Sequence, residues 1–533
     1  MKIHRIKISI VLLLLAVCGT VFISCRKNGQ PSWDTQILAP IVNANLSIND
    51  LVTSNYIKSN PADSSVSLVY TDSLYNINVI TIPNYDTLFN YISPFSTTVN
   101  PGHPIVPGIP KTTTYSTGTA HLKKAVIQSG YINLYIINAL NQTTDYFYTV
   151  TSATLNGNPL RVYLSVPPNT KKTFQASLAG YTVDFTGPAH NSYNQVTTNF
   201  QVDLDSSAGP LAITPGDTLG YANISFTNVI PYYAKGYFGT DTSSYSASNV
   251  AFPVFSKIVA GNLNLQNVDV NFTLSNGVGV DARVTLNGLT SFNSRTNTTV
   301  NLTDNGVINS TINVSRATET HNPASPVIPT VTTFDINPTN SNILAWLDNL
   351  PTNVGYAVHL ETDPLGNVSG DNDFVYNTYG INANINIKIP LSLIATNLTL
   401  ADTLAVNFAG SGPAQNVKSG KLTIYASNGF PFSAGLQMYL LNQNNVVADS
   451  IFIPAQTIAS GNVNAISGKV TSPQNSVLTI SLDAFHTQEL INTKTAILYA
   501  KFNMGSSPST YRDIYSYYQL GLKMVANFDY KVN

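Results

Sequence analysis

Ile127-Gln-Ser-Gly-Tyr-Ile-Asn-Leu-Tyr-Ile-Ile-Asn138 is the stretch whose reading decides the fold class. Branched and aromatic residues alternate along it, the pattern of a strand with one buried face, and it stops at an asparagine. Val417-Lys-Ser-Gly-Lys-Leu-Thr-Ile-Tyr-Ala-Ser-Asn428 repeats the design. Val270-Asn-Phe-Thr-Leu-Ser-Asn276-Gly277 matches the end of that second copy, and Ala282 and Ala434 then fall at equal distances beyond the asparagine. Thr154-Leu-Asn-Gly157 and Thr285-Leu-Asn-Gly288 are expected to close the following strand in two of the three places. The pattern predicts a strand, an Asn turn where positive φ is needed, and a returning strand. The turn asparagines lie 138 and 152 residues apart, about one domain each. Three copies of one unit account for this, as would hairpins converging independently on Asn-Gly.

Outward from these segments the same pattern continues. Val66, Leu68 and Tyr70, the run Ile77 to Ile82, Arg161–Val166, Phe174–Leu178 and Tyr181–Phe185 read as further strands. Their spacing approaches the 8–12 residues of a β-sandwich. Residues 93–118 carry five prolines among Ser and Thr without clear periodicity and read as a long loop. Helical signals are few. Ser47-Ile-Asn-Asp50 resembles a capping box with Asp in place of Glu, ahead of a turn or two of helix packed as a plug. Ser341–Leu350 has apolar positions 343, 346, 347 and 350 and a Pro351 stop, and Asp483–Leu490 reads as another short turn.

Composition agrees. Of 27 acids only Glu319, Glu361 and Glu489 are glutamates, and there are 61 asparagines, a balance that favours turns over helices. Only 10% of the 533 residues are charged, yet 43% are hydrophobic, ample for packed cores. A net charge of −1 gives no electrostatic footprint for nucleic acid. The expected class is all-β, built from several Ig-like sandwich units with few short helices. The expected segments are 1–24, 25–32, 33–118, 119–253, 254–408 and 409–533.

The first 25 residues place the chain. Lys2, Arg5 and Lys7 precede an apolar run from Ile8 to Ile23, and polarity returns at Arg26-Lys27. A basic start, a short apolar core and a small residue before the cut describe a secretory signal peptide over 1–24. Ile23-Ser24-Cys25 resembles a bacterial lipobox, which implies that the Cys25 thiol receives a diacylglycerol and that residues 25–32 form a lipidated tether. Cys25 is the only cysteine beyond the signal, so no intrachain disulfide is expected. Two or more acyl chains would hold the chain stably at a membrane it does not span. Lipobox, short polar tether, Trp33-Asp34 and Ala39-Pro40 together resemble large Bacteroidota outer-membrane lipoproteins of no known activity. That resemblance implies an outer-membrane anchor, on the periplasmic face or the cell surface. The strand–Asn–strand pattern also resembles the opening of LEA-type Ig-like sandwiches, and elongated tubular lipid-binding folds.

No catalytic signature is present. The sequence lacks His-Glu-x-x-His, a Gly-x-Ser-x-Gly elbow and a phosphate loop, and its seven histidines show no ligand spacing. Glu361 and the acids of Asp363-Pro-Leu-Gly-Asn-Val-Ser-Gly-Asp-Asn-Asp373 could offer oxygens to Ca²⁺, although the spacing fits no EF-hand and solvated loops look alike. Asp483, His486 and Glu489 share one side of a short helix, where a capped, exposed turn explains them better than acid–base work. Tyr232, Tyr233, Tyr237, Tyr515, Tyr517 and Tyr518, with Trp33 and Trp346, are candidate platforms for sugars or simply core. The expectation is a non-enzymatic binding or structural module for a protein or glycan, without cofactor or metal. A lipid-binding tube and a hydrolase with an unrecognised site are the rivals.

Overall fold

The computed structural model describes residues 33–532 apart from 78–83, 305, 321, 407–416, 453–456 and 505–508. Strands take up 64% and helices 5% of the chain, so the all-β expectation holds. The principal strands, in chain order, begin with β1 (Trp33–Ser47), β2 (Val66–Ile77), β3 (Tyr85–Ile92) and β4 (Pro104–Thr114). Next come β5 (His121–Asn138), β6 (Thr144–Leu155), β7 (Asn158–Val166), β8 (Thr170–Ser177), β9 (Gln195–Leu204) and β10 (Thr218–Tyr237). A second series is β11 (Asp241–Ala251), β12 (Ile258–Leu265), β13 (Asp269–Asn276), β14 (Ala282–Asn293), β15 (Thr311–Val314), β16 (Thr330–Ile336), β17 (Asn353–Thr362), β18 (Asp373–Tyr376) and β19 (Ile381–Pro390). The last is β20 (Ser392–Ala405), β21 (Val417–Asn428), β22 (Phe432–Leu441), β23 (Val447–Phe452), β24 (Gln474–Leu482), β25 (Thr495–Met504) and β26 (Gln519–Val532).

Hydrogen bonding sorts these strands into one plan used three times. In the first sandwich, β3-β10-β5-β8 form one sheet order and β4-β9-β6-β7 the other. The second places β2-β19-β13-β16 against β11-β17-β14-β15, and the third β1-β26-β21-β24 against β20-β25-β22-β23. Numbered within a sandwich, the orders are 1-8-3-6 and 2-7-4-5 each time. That connectivity is a double-sheet jelly roll, where turn spacing alone suggested an Ig-like unit. A short strand at Thr182–Asp184 bridges β5 and β6, joining both sheets of the first sandwich into one ladder.

The sandwiches are nested in the sequence. Strand 1 of the third is β1 and its strand 2 is β20, and everything between them includes the other two sandwiches. Strand 1 of the second is β2 and its strand 2 is β11, which brackets the whole of the first. The consecutive segments expected from the sequence are therefore corrected: residues 33–118 are no separate N-terminal piece, but supply opening strands to all three sandwiches. Residues 93–118 are likewise corrected from loop to partly strand, since Thr97–Val99 pairs with Leu211–Ile213 and β4 pairs with β9. Proline is tolerated in β4 because that strand lies at the edge of its sheet. Two compact units result. One holds the third sandwich with Val254–Gln266, and the other holds the first and second over Leu68–Pro253 and Asn267–Ile389. Within the latter, β18 joins the second sandwich to the edge of β10, and Tyr233, Ala317, Val327 and Phe374 pack together beside it.

The three asparagines hold one equivalent position, but not as hairpin turns. None has positive φ, and in the second and third sandwiches the strands on either side belong to different sheets. Asn138, Asn276 and Asn428 are fully buried where strand 3 crosses over to strand 4. Each Oδ1 accepts the N–H two residues on, from Leu140, Val278 or Phe430, at 2.9 Å. Each Nδ2 donates to the carbonyl four residues on (Gln142, Val280, Phe432) and to a carbonyl at the end of strand 5 (Val166), one residue past it (Ser315) or seven past it (Ala459), at 2.7–3.0 Å. Asparagine is required for its amide, which satisfies backbone groups stranded at the crossover. Asn156-Gly157, with φ 51° and 81°, is the true hairpin turn, between β6 and β7. Thr285–Gly288 does not close a strand: β14 runs through it, with a register shift between Leu286 and Gly288.

Helices are accessory, as expected. The capping box is real: the Ser47 N–H donates to Asp50 Oδ2 at 2.7 Å, opening α1 (Ile48–Leu51). In α2 (Ile343–Asp348), Ile343, Trp346 and Leu347 are buried, as is Leu350 just beyond its end. Asp483 caps α3 (Ala484–Asn492).

Candidate functional site

The recurring accessible feature is the outer face of the four-strand sheet that carries strand 3. Alternation along β5 buries Ile132, Leu134 and Ile136 and turns Tyr131, Asn133 and Tyr135 outward. Register then sets Asn133 between Gln175 of β8 and Ser225 of β10, and Tyr135 between Thr173 and Asn223. Gln175 Nε2 donates to Asn133 Oδ1 at 2.7 Å, and Asn133 Nδ2 donates to Thr227 Oγ1 at 2.9 Å. Asn133, Tyr135, Thr173, Gln175, Asn223 and Ser225 line a shallow cleft of about 370 Å³.

The second sandwich offers the same face. Asn271 lies between Asp335 and Asn386, Thr273 between Thr333 and Asn384, and Asp269 opposite Lys388. Asn271 Nδ2 donates to Asp335 Oδ1. Asp269, Asn271, Asp335, Asn386 and Lys388 border a cleft of about 540 Å³. In the third, Ser427 lies between Asn475 and Gly521, and Tyr425, half exposed, between Val477 and Lys523. Asn43 and Asn45 of β1 extend the face, Asn45 Nδ2 donating to Gln519 Oε1 at 2.7 Å, around a cleft of about 630 Å³. Amides and hydroxyls dominate the first lining; the second mixes Asn271, Asn337 and Asn386 with Asp269, Asp335 and Lys388, the third mixes Asn43, Asn45, Ser427 and Asn475 with Val477, Leu522 and Lys523, and asparagine amides are common to all three. An amide both donates and accepts, so such a surface suits a neutral ligand rich in hydroxyls.

A different space lies inside the first sandwich. Ile127, Val150, Ala153, Leu160, Val196 and Phe226 from its two sheets line a partly open, mainly apolar cavity of about 250 Å³, with Asn84, Ser116, Thr117 and Asn194 among its polar lining. Tyr85 and Tyr115 pack edge to face beside it, 4.1 Å between ring centres, and burial pushes the Tyr115 hydroxyl well above its usual range.

The residues singled out in the sequence are dispersed. Glu361 pairs with Arg283 at 3.0 Å, and Asp371 with His121 at 2.8 Å and Lys123 at 3.3 Å. Asp373 Oδ1 receives Arg316 at 2.9 Å. The 361–373 acids thus do not gather round one calcium ion, and no group of three or more His, Cys, Asp or Glu is placed to hold a metal among the described residues. Asp483 accepts the His486 N–H as a helix cap, and His486 Nδ1 meets Asp449 at 2.6 Å, which raises the imidazole pKa. Tyr233, Tyr237, Tyr515 and Tyr518 are buried, and Trp346 is a core residue whose Nε1 donates to the Leu289 carbonyl. They are packing groups, not open platforms; Tyr232 and Tyr517 remain exposed. Cys25 and His321 lie outside the described residues, as does the side chain of Trp33. The cleft residues were legible only as strand-face polar positions and the clamp asparagines only as turns, because register, not spacing, brings their partners together.

No family model matches the chain. No curated protein matches it either. Among solved structures, it is similar to a protein from Parabacteroides distasonis thought to be secreted, at 9% identity over 93% of this chain and 99% of that one, with a TM-score of 0.28. It is also similar to VP2 of infectious bursal disease virus, at 11% identity over 91% and 86% of the two chains, with a TM-score of 0.10. No helix among the described residues is long and apolar enough to cross a membrane.

Proposed function

We propose that this chain is a lipid-anchored, non-enzymatic binding module of a bacterial outer envelope, tethered through Cys25, and that its sheet faces hold a neutral glycan. The observation that carries the reading is the recurrence of an asparagine-bearing cleft on the same face of all three sandwiches. Protein interfaces centre on buried aromatic or aliphatic anchors, whereas the first cleft is lined mostly by Asn, Ser, Thr and Gln and asparagines recur in the other two, which favours a glycan over a protein. Jelly rolls serve lectins among other proteins, a likeness of fold only. The test is affinity electrophoresis against a panel of neutral and charged polysaccharides. Retardation by a neutral polymer, weakened in Asn133→Ala/Gln175→Ala, is expected; equal mobility on every polymer would sink the glycan reading. Mass spectrometry of the mature N-terminus tests the anchor, with a diacylglyceryl adduct on Cys25 expected.

A second reading, a lipid-binding module, is favoured by the cavity of the first sandwich. About 250 Å³ of mostly apolar-lined space is room for part of an acyl chain, whose burial there would stabilise the fold. The remaining cores are closely filled by groups such as Phe252, Phe255, Phe272 and Trp346, which does not suit a tube running the length of a unit. Lipid released from protein purified without detergent, detected by mass spectrometry, would support this reading.

A further inference from the structure

Where β18 joins the second sandwich to the first, two carboxyl groups are buried side by side. Asp363 is 1% exposed and Asp373 fully buried. Both carboxylate oxygens of Asp363, and Oδ2 of Asp373, lack a hydrogen-bond partner among the described residues. The groups are near enough for a proton on one to bridge to the other. Arg316 is the cation facing them, from the segment after β15; it meets Asp373 at 2.9 Å and Asp281, ahead of β14, at 3.4 Å. Three carboxylates thus face one guanidinium. Ser369 of the intervening loop also reaches Asp373. The other charges nearby are engaged elsewhere: Glu361 with Arg283, Asp371 with His121 and Lys123, and Glu319 with Lys235.

We propose that Asp363 and Asp373 share a single proton, and that losing it loosens the segment joining the second sandwich to the first. The pair closes the base of the loop that carries this connection. The Asp363 N–H donates to the Asp281 carbonyl, and the Asp363 carbonyl accepts from Thr240 Oγ1 at 2.9 Å, just beyond β10. Asp373 begins β18, whose residues up to Tyr376 pair with Tyr233–Gly236. Like charges this close in a buried site cannot both ionise cheaply. Burial first, then the charge of Asp373, pushes the Asp363 carboxyl up to about 7. The folded chain therefore binds this proton more tightly than the unfolded chain. Stabilisation from it is complete below the ordinary value of 3.8, declines as pH rises, and is gone above about 7.

The experiment compares the full chain with Asp363→Asn, which keeps the shape and removes the charge, by thermal unfolding from pH 4.5 to 8.5. The variant should gain about 5 °C on the wild type between pH 5 and pH 7 and hold that gain above. Parallel curves, or a uniform loss for the variant, would overturn the proposal. Asp373→Asn weakens the Arg316 contact and is expected to lower Tm across the whole range. Should the variants not fold, hydrogen exchange of wild-type residues 373–376, corrected for intrinsic rate, carries the test. A rise in opening with a midpoint near pH 7 supports the proposal, and its absence overturns it. If CaCl₂ rather than acid protects this segment, the pair holds a divalent cation and the proposal is wrong.

Discussion

The first and third sandwiches share a strand order and an asparagine clamp, yet the chain assembles them in opposite ways. The first draws its eight strands from Tyr85 to Tyr237 without interruption. The third begins at Trp33, resumes at Ser392 and closes when β26 pairs with β1, Trp33 opposite Val532. Insertion between strands 1 and 2 leaves the jelly roll intact because that connection is a loop, and loop closure cost grows only slowly with length. The two also differ inside. The first contains a mainly apolar cavity, while the third packs Leu422, Ile424, Ala434, Leu498 and Phe502 at its centre. Strand order therefore does not depend on chain continuity, and core filling can vary while order is kept.

The largest test removes continuity. Residues 84–237 alone should fold cooperatively with a β circular-dichroism spectrum, whereas full-length chain lacking residues 33–47 should lose protection throughout β26 and β21. Equal hydrogen exchange in β26 with and without β1 would break the comparison. Next in size is the clamp. Asn138→Ala or Asn428→Ala strands several buried backbone groups and should cost about 3 kcal/mol of the stability of its own sandwich, measured by urea unfolding. A similar loss at both sites would show that one device secures contiguous and split copies alike.

Filling the core should separate the two. Ala153→Leu enters the cavity lining of the first sandwich and should stabilise it by about 1 kcal/mol. Ala434→Leu meets a fully buried position in the third and should destabilise by about 2 kcal/mol. Like signs at both positions would mean the cavity is already occupied. The smallest effect belongs to the third sandwich's unit alone. Asp449 raises the His486 pKa through their hydrogen bond, so this stabilisation is complete below 6.5 and fades as pH rises through the folded value. Asp449→Asn should return the imidazole, followed by NMR, toward its ordinary range and lower Tm by under 1 °C at acidic pH.

Much of the architecture is written in alternation. The runs ending at Asn138, Asn276 and Asn428 specify strands, and their recurrence marks three units, because side-chain period and β-propensity are local properties. The capping box at Ser47 and the buried stripe of Ile343, Trp346, Leu347 and Leu350 were legible for the same reason. The strands of 93–118 were obscured by edge prolines, and the clamp asparagines looked like positive-φ turns.

The sequence by itself determined the strands, their buried faces and the polar row opposite each, since these depend on neighbours one or two positions away. Only tertiary structure decided that residues hundreds of positions apart share a sheet, that Asn133 meets Gln175, and that Asp363 lies beside Asp373. Such pairings are set by register and burial across strands, and no local pattern encodes them.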